Sequence, residues 1–271
     1  MVRNALKSCA LGAVLVLLAL QVAHAGEGGK DSGDAASEAV RDLKLQGGGS
    51  QRVLYARPAS VRGTVVMLPG GRGDVGIEED GDLQHGKNFV VRTRKMWLDH
   101  GYAVVIPDAI DGANMRGQRS SPEYAEVVAE LVRFAQHEAP GRVFLLGTSQ
   151  GSIAAMNGAA HLSTKDIAGV VLTESVTRSS KSKETVFDAS PGNVRAPVLI
   201  VANRASHCRV APADDAPRIA DALKNAAEAK VVYVEGGETR SQDCGSQSPH
   251  GYWGIEADVV GKITAWLDAH G

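Results

Sequence analysis

A G-x-S-x-G pentapeptide, Gly147-Thr148-Ser149-Gln150-Gly151, stands where the apolar run Val143-Phe144-Leu145-Leu146 gives way to the helix-forming stretch Ser152-Ile153-Ala154-Ala155-Met156. A buried strand that turns at once into a helix crowds its connecting residue, and glycines two residues to either side remove the side chains that would clash. The spacing predicts that Ser149 projects from the strand tip, with the Gln150 amide behind it at a helix N-terminus. The plainer reading is a serine that only caps the helix.

Around this turn the chain alternates apolar, β-branched runs with amphipathic stretches. Strands are predicted at 52–56, 64–68, 103–107, 142–146, 169–173, 198–202 and 230–234, and helices at 88–100, 122–137, 150–160, 212–226 and 255–269. Strict alternation implies a mostly parallel sheet with helices on both faces. Ligands of such sheets bind beyond the carboxyl ends of the strands, and Ser149 falls at one. A formal net charge of −2 over 271 residues gives no footprint for nucleic acid.

Residues 1–25 read as a signal peptide: Arg3 and Lys7 form a basic start, Ala10 to Leu20 an apolar stretch too short to span a bilayer comfortably, and Ala23-His24-Ala25 a cleavage site. The mature chain is then periplasmic or secreted, with no membrane attachment. Residues 26–50, rich in Gly, Asp, Ser and Ala, read as a flexible lead-in with one short helical pattern at 37–43. Residues 51–271 form the folded domain. Loss of the leader removes Cys9 and leaves Cys208 and Cys244, natural disulfide partners in an oxidising compartment. Two cysteines without C-x-x-C spacing make only half a metal site, so no metal is expected.

Other predicted strand ends carry groups capable of chemistry. Pro69-Gly70-Gly71-Arg72-Gly73 is a glycine-rich turn. An amide of Gly70 or Gly71, together with that of Gln150, would make an oxyanion hole. His250, in Ser248-Pro249-His250-Gly251, follows the last predicted strand and is placed to act as the base, since imidazole both accepts the serine proton and returns it near neutral pH. His207 is the one competitor. His85 lies in an acidic loop, and His100, His137, His161 and His270 fall on helices or at their ends.

Through Leu68-Pro69-Gly70-Gly71, Asn88-Phe89-Val90-Val91-Arg92, the elbow, Cys208-Arg209-Val210 and Pro249-His250-Gly251, the chain resembles the α/β-hydrolase superfamily, in particular its exported bacterial members of poorly characterised type. The likeness spans roughly residues 52–269. It implies a serine hydrolase without cofactor, with Ser149 as nucleophile and His250 as base. It further implies that the two cysteines tie the acid-bearing loop to the histidine-bearing loop.

One position departs from that pattern. The triad acid of the family usually follows the strand here read as 198–202, just before the cysteine, where this chain has Ala205-Ser206-His207-Cys208. Glu174, at the end of the neighbouring strand, is the best relocated acid, ahead of Asp243 and of Asp214 or Asp215, which read as a helix start. Ser206 would orient His250 without supplying charge. Asp108 and Asp111 read as loop-shaping or substrate-facing.

The stretch between Glu174 and Pro197 is short and polar, which predicts an open site with no large lid. Arg72, Arg92, Arg116 and Arg178 are candidates to meet an anionic substrate group. The expected activity is hydrolysis of a small-molecule carboxylic ester through a Ser149 acyl-enzyme. The alternatives are a non-catalytic binding protein on a degenerate hydrolase fold, favoured by the missing acid, and a zinc hydrolase, for which H-E-x-x-H and comparable ligand clusters are lacking.

Overall fold

A computed structural model describes residues 36–180 and 182–271. The leader assigned to residues 1–25, with Cys9, and the first part of the lead-in lie outside the described residues. Eight strands form one sheet: β1 (Ser37–Lys44), β2 (Ser50–Arg57), β3 (Gly63–Leu68), β4 (Tyr102–Pro107), β5 (Val143–Thr148), β6 (Gly169–Thr173), β7 (Val198–Asn203) and β8 (Ala229–Val234). Their spatial order is β1-β2-β4-β3-β5-β6-β7-β8. The β1–β2 and β2–β4 pairs are antiparallel and the remaining five are parallel.

Strands β3 to β7 are buried along their whole length, as their unbroken apolar runs require when helices cover both faces. Alternate residues serve opposite layers. Leu145 and Val170 pack with Val128 and Leu131 of α3 (Pro122–Glu138), Ile153 and Met156 of α4 (Gln150–His161) and Ile219 of α5 (Ala216–Ala222). Phe144, Leu146 and Val171 face the other way. There they meet Phe89 and Val90 of α1 (Phe89–Arg92), Trp97 of α2 (Arg94–Asp99) and Val259, Ile263 and Leu267 of α6 (Glu256–Ala269).

Three expectations about local structure are corrected. Residues 37–43 form the edge strand β1 and not a helix, so the flexible lead-in cannot extend to residue 50. One or two helical turns are marginal alone, whereas β1 pairs in register with β2 from Ser37↔Arg57 to Lys44↔Ser50 around a turn with Gly48 and Gly49 at positive φ. The helix expected over 88–100 is broken at Thr93, whose hydroxyl donates to the Phe89 carbonyl at 2.7 Å and accepts from Trp97 Nε1 at 3.1 Å. The helix expected over 212–226 shrinks to α5, preceded by a 3-10 turn at Ala213–Asp215. Between β6 and β7 the described residues form two short 3-10 turns, Val186–Ala189 and Pro191–Asn193, and no lid.

Candidate active site

Ser149 occupies the one-residue turn between β5 and α4, at φ 53° and ψ −121°. Few non-glycine residues adopt such a backbone, and it persists only where the surroundings enforce it. Both flanking glycines are needed for close approach: a Cβ on Gly147 would lie 2.2 Å from the Gly151 carbonyl oxygen, and one on Gly151 would lie 2.0 Å from that of Leu68. The Ser149 side chain makes no capping bond to α4. Its hydroxyl donates to His250 Nε2 at 3.0 Å instead.

His250 sits in a 3-10 turn, Pro249–Gly251, well before α6 begins at Glu256, so it does not cap that helix. The turn is held from below by Ser248, whose hydroxyl bonds the carbonyls of Asp243 and Gly245, both at 2.9 Å. His250 Nδ1–H donates to Glu174 Oε2 at 3.1 Å, which assigns the tautomer that leaves Nε2 free to accept from serine. Glu174 and His250 are 2% and 3% exposed, so this charged contact is shielded from water.

Glu174 is the first residue beyond β6, at φ 45°, and its second carboxylate oxygen accepts the Asn203 N–H at 2.6 Å. Asn203, the last residue of β7, is fully buried. Its side-chain amide donates to the carbonyls of Gly236 and Pro249, at 2.9 and 2.8 Å. One asparagine therefore fixes both the carboxylate and the backbone next to the histidine. Tyr252 is buried beside them, donates to the Val201 carbonyl at 3.0 Å and packs edge-on against Phe89. Burial and the neighbouring Glu174 charge push its phenol well above the usual range.

Other residues raised by the sequence fall elsewhere. Asp243 and His207 are exposed, and Ser206 bonds its own loop at the Cys208 amide. Asp215 bonds Thr177, Arg178 and Arg218; burial raises its pKa, but these three contacts outweigh it and hold the carboxyl low. Asp108 shapes a loop by accepting the amides of Val75, Gly76, Ile77 and Ala109, and Asp111 accepts that of Ser50. Cys208 and Cys244 are bonded, Cα to Cα 4.6 Å, joining the loop after β7 to the loop that leads to His250. Among the described residues no cluster of His, Cys, Asp or Glu is arranged to hold a metal ion, and no helix is long and apolar enough to cross a membrane.

The glycine turn after β3 lies against Ser149. A Cβ on Gly70 would come within 3.1 Å of Ser149 Cβ, and Gly71 has φ +62°. Two arginines brace this region, one of them, Arg119, missed by sequence reasoning. Arg119, 1% exposed, donates to the carbonyls of Gly71 and Pro69 beneath that turn. Arg92, expected to face substrate, is instead a strut. It pairs with Glu256 at 2.9 Å, reaches the carbonyls of Lys87, Ser246 and Gly251, and stacks over Trp253. Burial lowers its pKa and Glu256 partly restores it. Above Ser149 opens a cleft of about 490 Å³, walled by Gly70 to Arg72, Lys87 to Phe89, Cys244 to Ser246 and His250.

Solved structures share this architecture over most of the chain. An esterase of Pyrococcus furiosus superposes with a TM-score of 0.62 at 13% identity, over 87% of this chain and 94% of the other. The fold is that of the α/β-hydrolases. A dienelactone hydrolase of Anabaena variabilis matches with a TM-score of 0.59 at 15% identity, over 86% and 98% of the two chains. A Xanthomonas campestris protein described as an α/β serine hydrolase without lid gives 0.58 at 16%, over 86% and 94%. No protein-family model matches the sequence, and no curated protein is significantly similar to it. At these identities the α/β-hydrolase likeness speaks for the fold, and the chemistry rests on the residues at the strand ends.

Proposed function

We propose that this protein is an exported serine hydrolase that cleaves a carboxylic ester of a small molecule, with Ser149 as nucleophile, His250 as general base and Glu174 as the triad acid. The observation that carries the reading is the unbroken chain of hydrogen bonds from Ser149 through His250 to Glu174, at 3.0 and 3.1 Å, on a serine in a strained elbow. The esterase and dienelactone hydrolase among the structural neighbours agree with acyl chemistry. The Cys208–Cys244 bond agrees with an oxidising compartment.

In the proposed cycle Ser149 Oγ attacks the ester carbonyl carbon while its proton passes to His250 Nε2. The carbonyl oxygen becomes an oxyanion, held by the Gln150 amide at the start of α4 and an amide of the Gly70-Gly71 turn. Nε2 then returns the proton to the departing alkoxide, which leaves as the alcohol. Water attacks the acyl-enzyme, giving its proton to Nε2. The tetrahedral species collapses to the free carboxylic acid and Ser149 regains its proton. Glu174 keeps the imidazole in the required tautomer and stabilises its cationic form. The cycle needs no cofactor or metal.

The non-catalytic reading rested on the absence of a carboxylate before Cys208. Glu174, hydrogen-bonded to His250 from the adjacent strand, removes that motive. Fluorophosphonate labelling of the purified protein, with the modified residue located by peptide mass spectrometry, tests the proposal. Stoichiometric labelling at Ser149, absent in Ser149→Ala, is the expected result; folded protein that stays unlabelled would return the binding role.

A further inference from the structure

We infer that the cleft over Ser149 carries a subsite for an anionic group, formed by Arg72 and Lys87, and that the substrate is an ester bearing a carboxylate or a comparable anion. The inference rests on the serine-hydrolase reading and extends it to substrate class.

Of the four arginines that sequence reasoning offers to an anion, two are taken and a third, Arg116, is not on the cleft wall. Arg92 is bound to Glu256 and three carbonyls, and Arg178 to Asp215. Arg72 differs. It lines the cleft two residues beyond Gly70, whose Cβ position is 3.1 Å from Ser149 Cβ. Lys87 lines the same cleft beside Asn88, whose side-chain amide is 3.5 Å from the Cβ position of Gly70. Among the described residues neither cation has an ion-pair or hydrogen-bond partner for its charged group.

The other charges on the cleft wall do not neutralise them. Asp74, half-buried, is its one carboxylate, and it faces His85 Nδ1 at 3.4 Å. Glu174 is buried beneath His250 and committed to His250 and Asn203. Gln84, Asn88 and Ser246 add neutral polar groups to the wall, and Phe89 is its one large apolar side chain. Such a surface offers a compact anion two unpaired cations, both exposed in a concave site, which attract it.

The test is the ratio of kcat/KM for matched anionic and neutral esters. The pair p-nitrophenyl hydrogen glutarate and p-nitrophenyl butyrate places the carboxylate on the acyl side. The pair para-acetoxybenzoate and phenyl acetate places it on the leaving group. The expected result is preference for the anionic member of one pair, lowered about tenfold in Arg72→Gln/Lys87→Gln, the effect of roughly one charge-assisted contact at an exposed site. In the wild type the same preference should shrink as sodium chloride is raised to about 0.5 M, a readout that does not depend on the variant folding. Equal or poorer turnover of both anionic esters, or a ratio that neither salt nor the double substitution alters, overturns the inference while leaving the hydrolase intact. Failure to turn over any of the four esters, with Ser149 unlabelled by fluorophosphonate, overturns the hydrolase reading and the subsite with it.

Discussion

The carboxyl ends of β6 and β7 lie side by side, yet they do opposite work. The end of β6 presents a charge: Glu174, bent into a left-handed backbone, meets His250 directly. The end of β7 presents scaffold. Asn203 ties Glu174, Gly236 and Pro249 together, and the loop that follows is anchored to the histidine loop by Cys208–Cys244. The imidazole needs one buried carboxylate at Nδ1, and two adjacent parallel strands end near enough to supply it from either side. In the proposed triad the acid sits at the end of β6, which leaves the end of β7 to act as a brace, with the disulfide tying its loop to the histidine loop.

Substitutions at the two ends should separate charge from bracing. The largest effect is expected at β6. Glu174→Gln retains shape but loses charge, and kcat should fall by about four decades with the fold intact; a near-normal rate would show that the carboxylate is not the triad acid. On the β7 side, Cys208→Ser opens a link across a sequence separation of 36. In the chain-entropy model this lowers stability by about 4 kcal/mol, visible in urea unfolding, with a larger change in midpoint than in kcat. A collapse of kcat at unchanged stability would instead make the bridge part of the chemistry. Asn203→Ala leaves the buried Pro249 carbonyl and the half-buried Gly236 carbonyl without this donor. It should cost about 2 kcal/mol of stability and about tenfold in kcat, since a small displacement of His250 is enough to misalign the transfer. Tyr252→Phe removes one buried hydroxyl bond to Val201 and should cost about 1 kcal/mol, read as a small drop in melting temperature.

The legibility of this site in the sequence varies with how local each constraint is. The elbow was readable because the strand, the turn glycines and the helix are contiguous, so the backbone that exposes Ser149 is specified within a dozen residues. His250 was readable from chain order, and the cysteine pair from compartment and count. Glu174 was only a candidate, since a lone carboxylate after a strand carries no mark of which loop will face it. Asn203 and Arg119 went unnoticed as site residues and Arg92 was given a substrate-facing role, as the partners that decide their roles lie 29 to 164 residues away in sequence.

Apolar runs of β-branched residues, separated by amphipathic helices, determined a mostly parallel sheet covered on both faces, because that arrangement buries both sides of the central strands. Local pattern also determined the serine turn. The tertiary structure alone decided that residues 37–44 become a strand, because pairing with β2 satisfies a backbone that a single short helix leaves marginal. It alone decided which carboxylate meets His250 and which cations stay unpaired over the nucleophile. Those outcomes depend on distances between strand ends and loops, which strand order sets and local sequence does not encode.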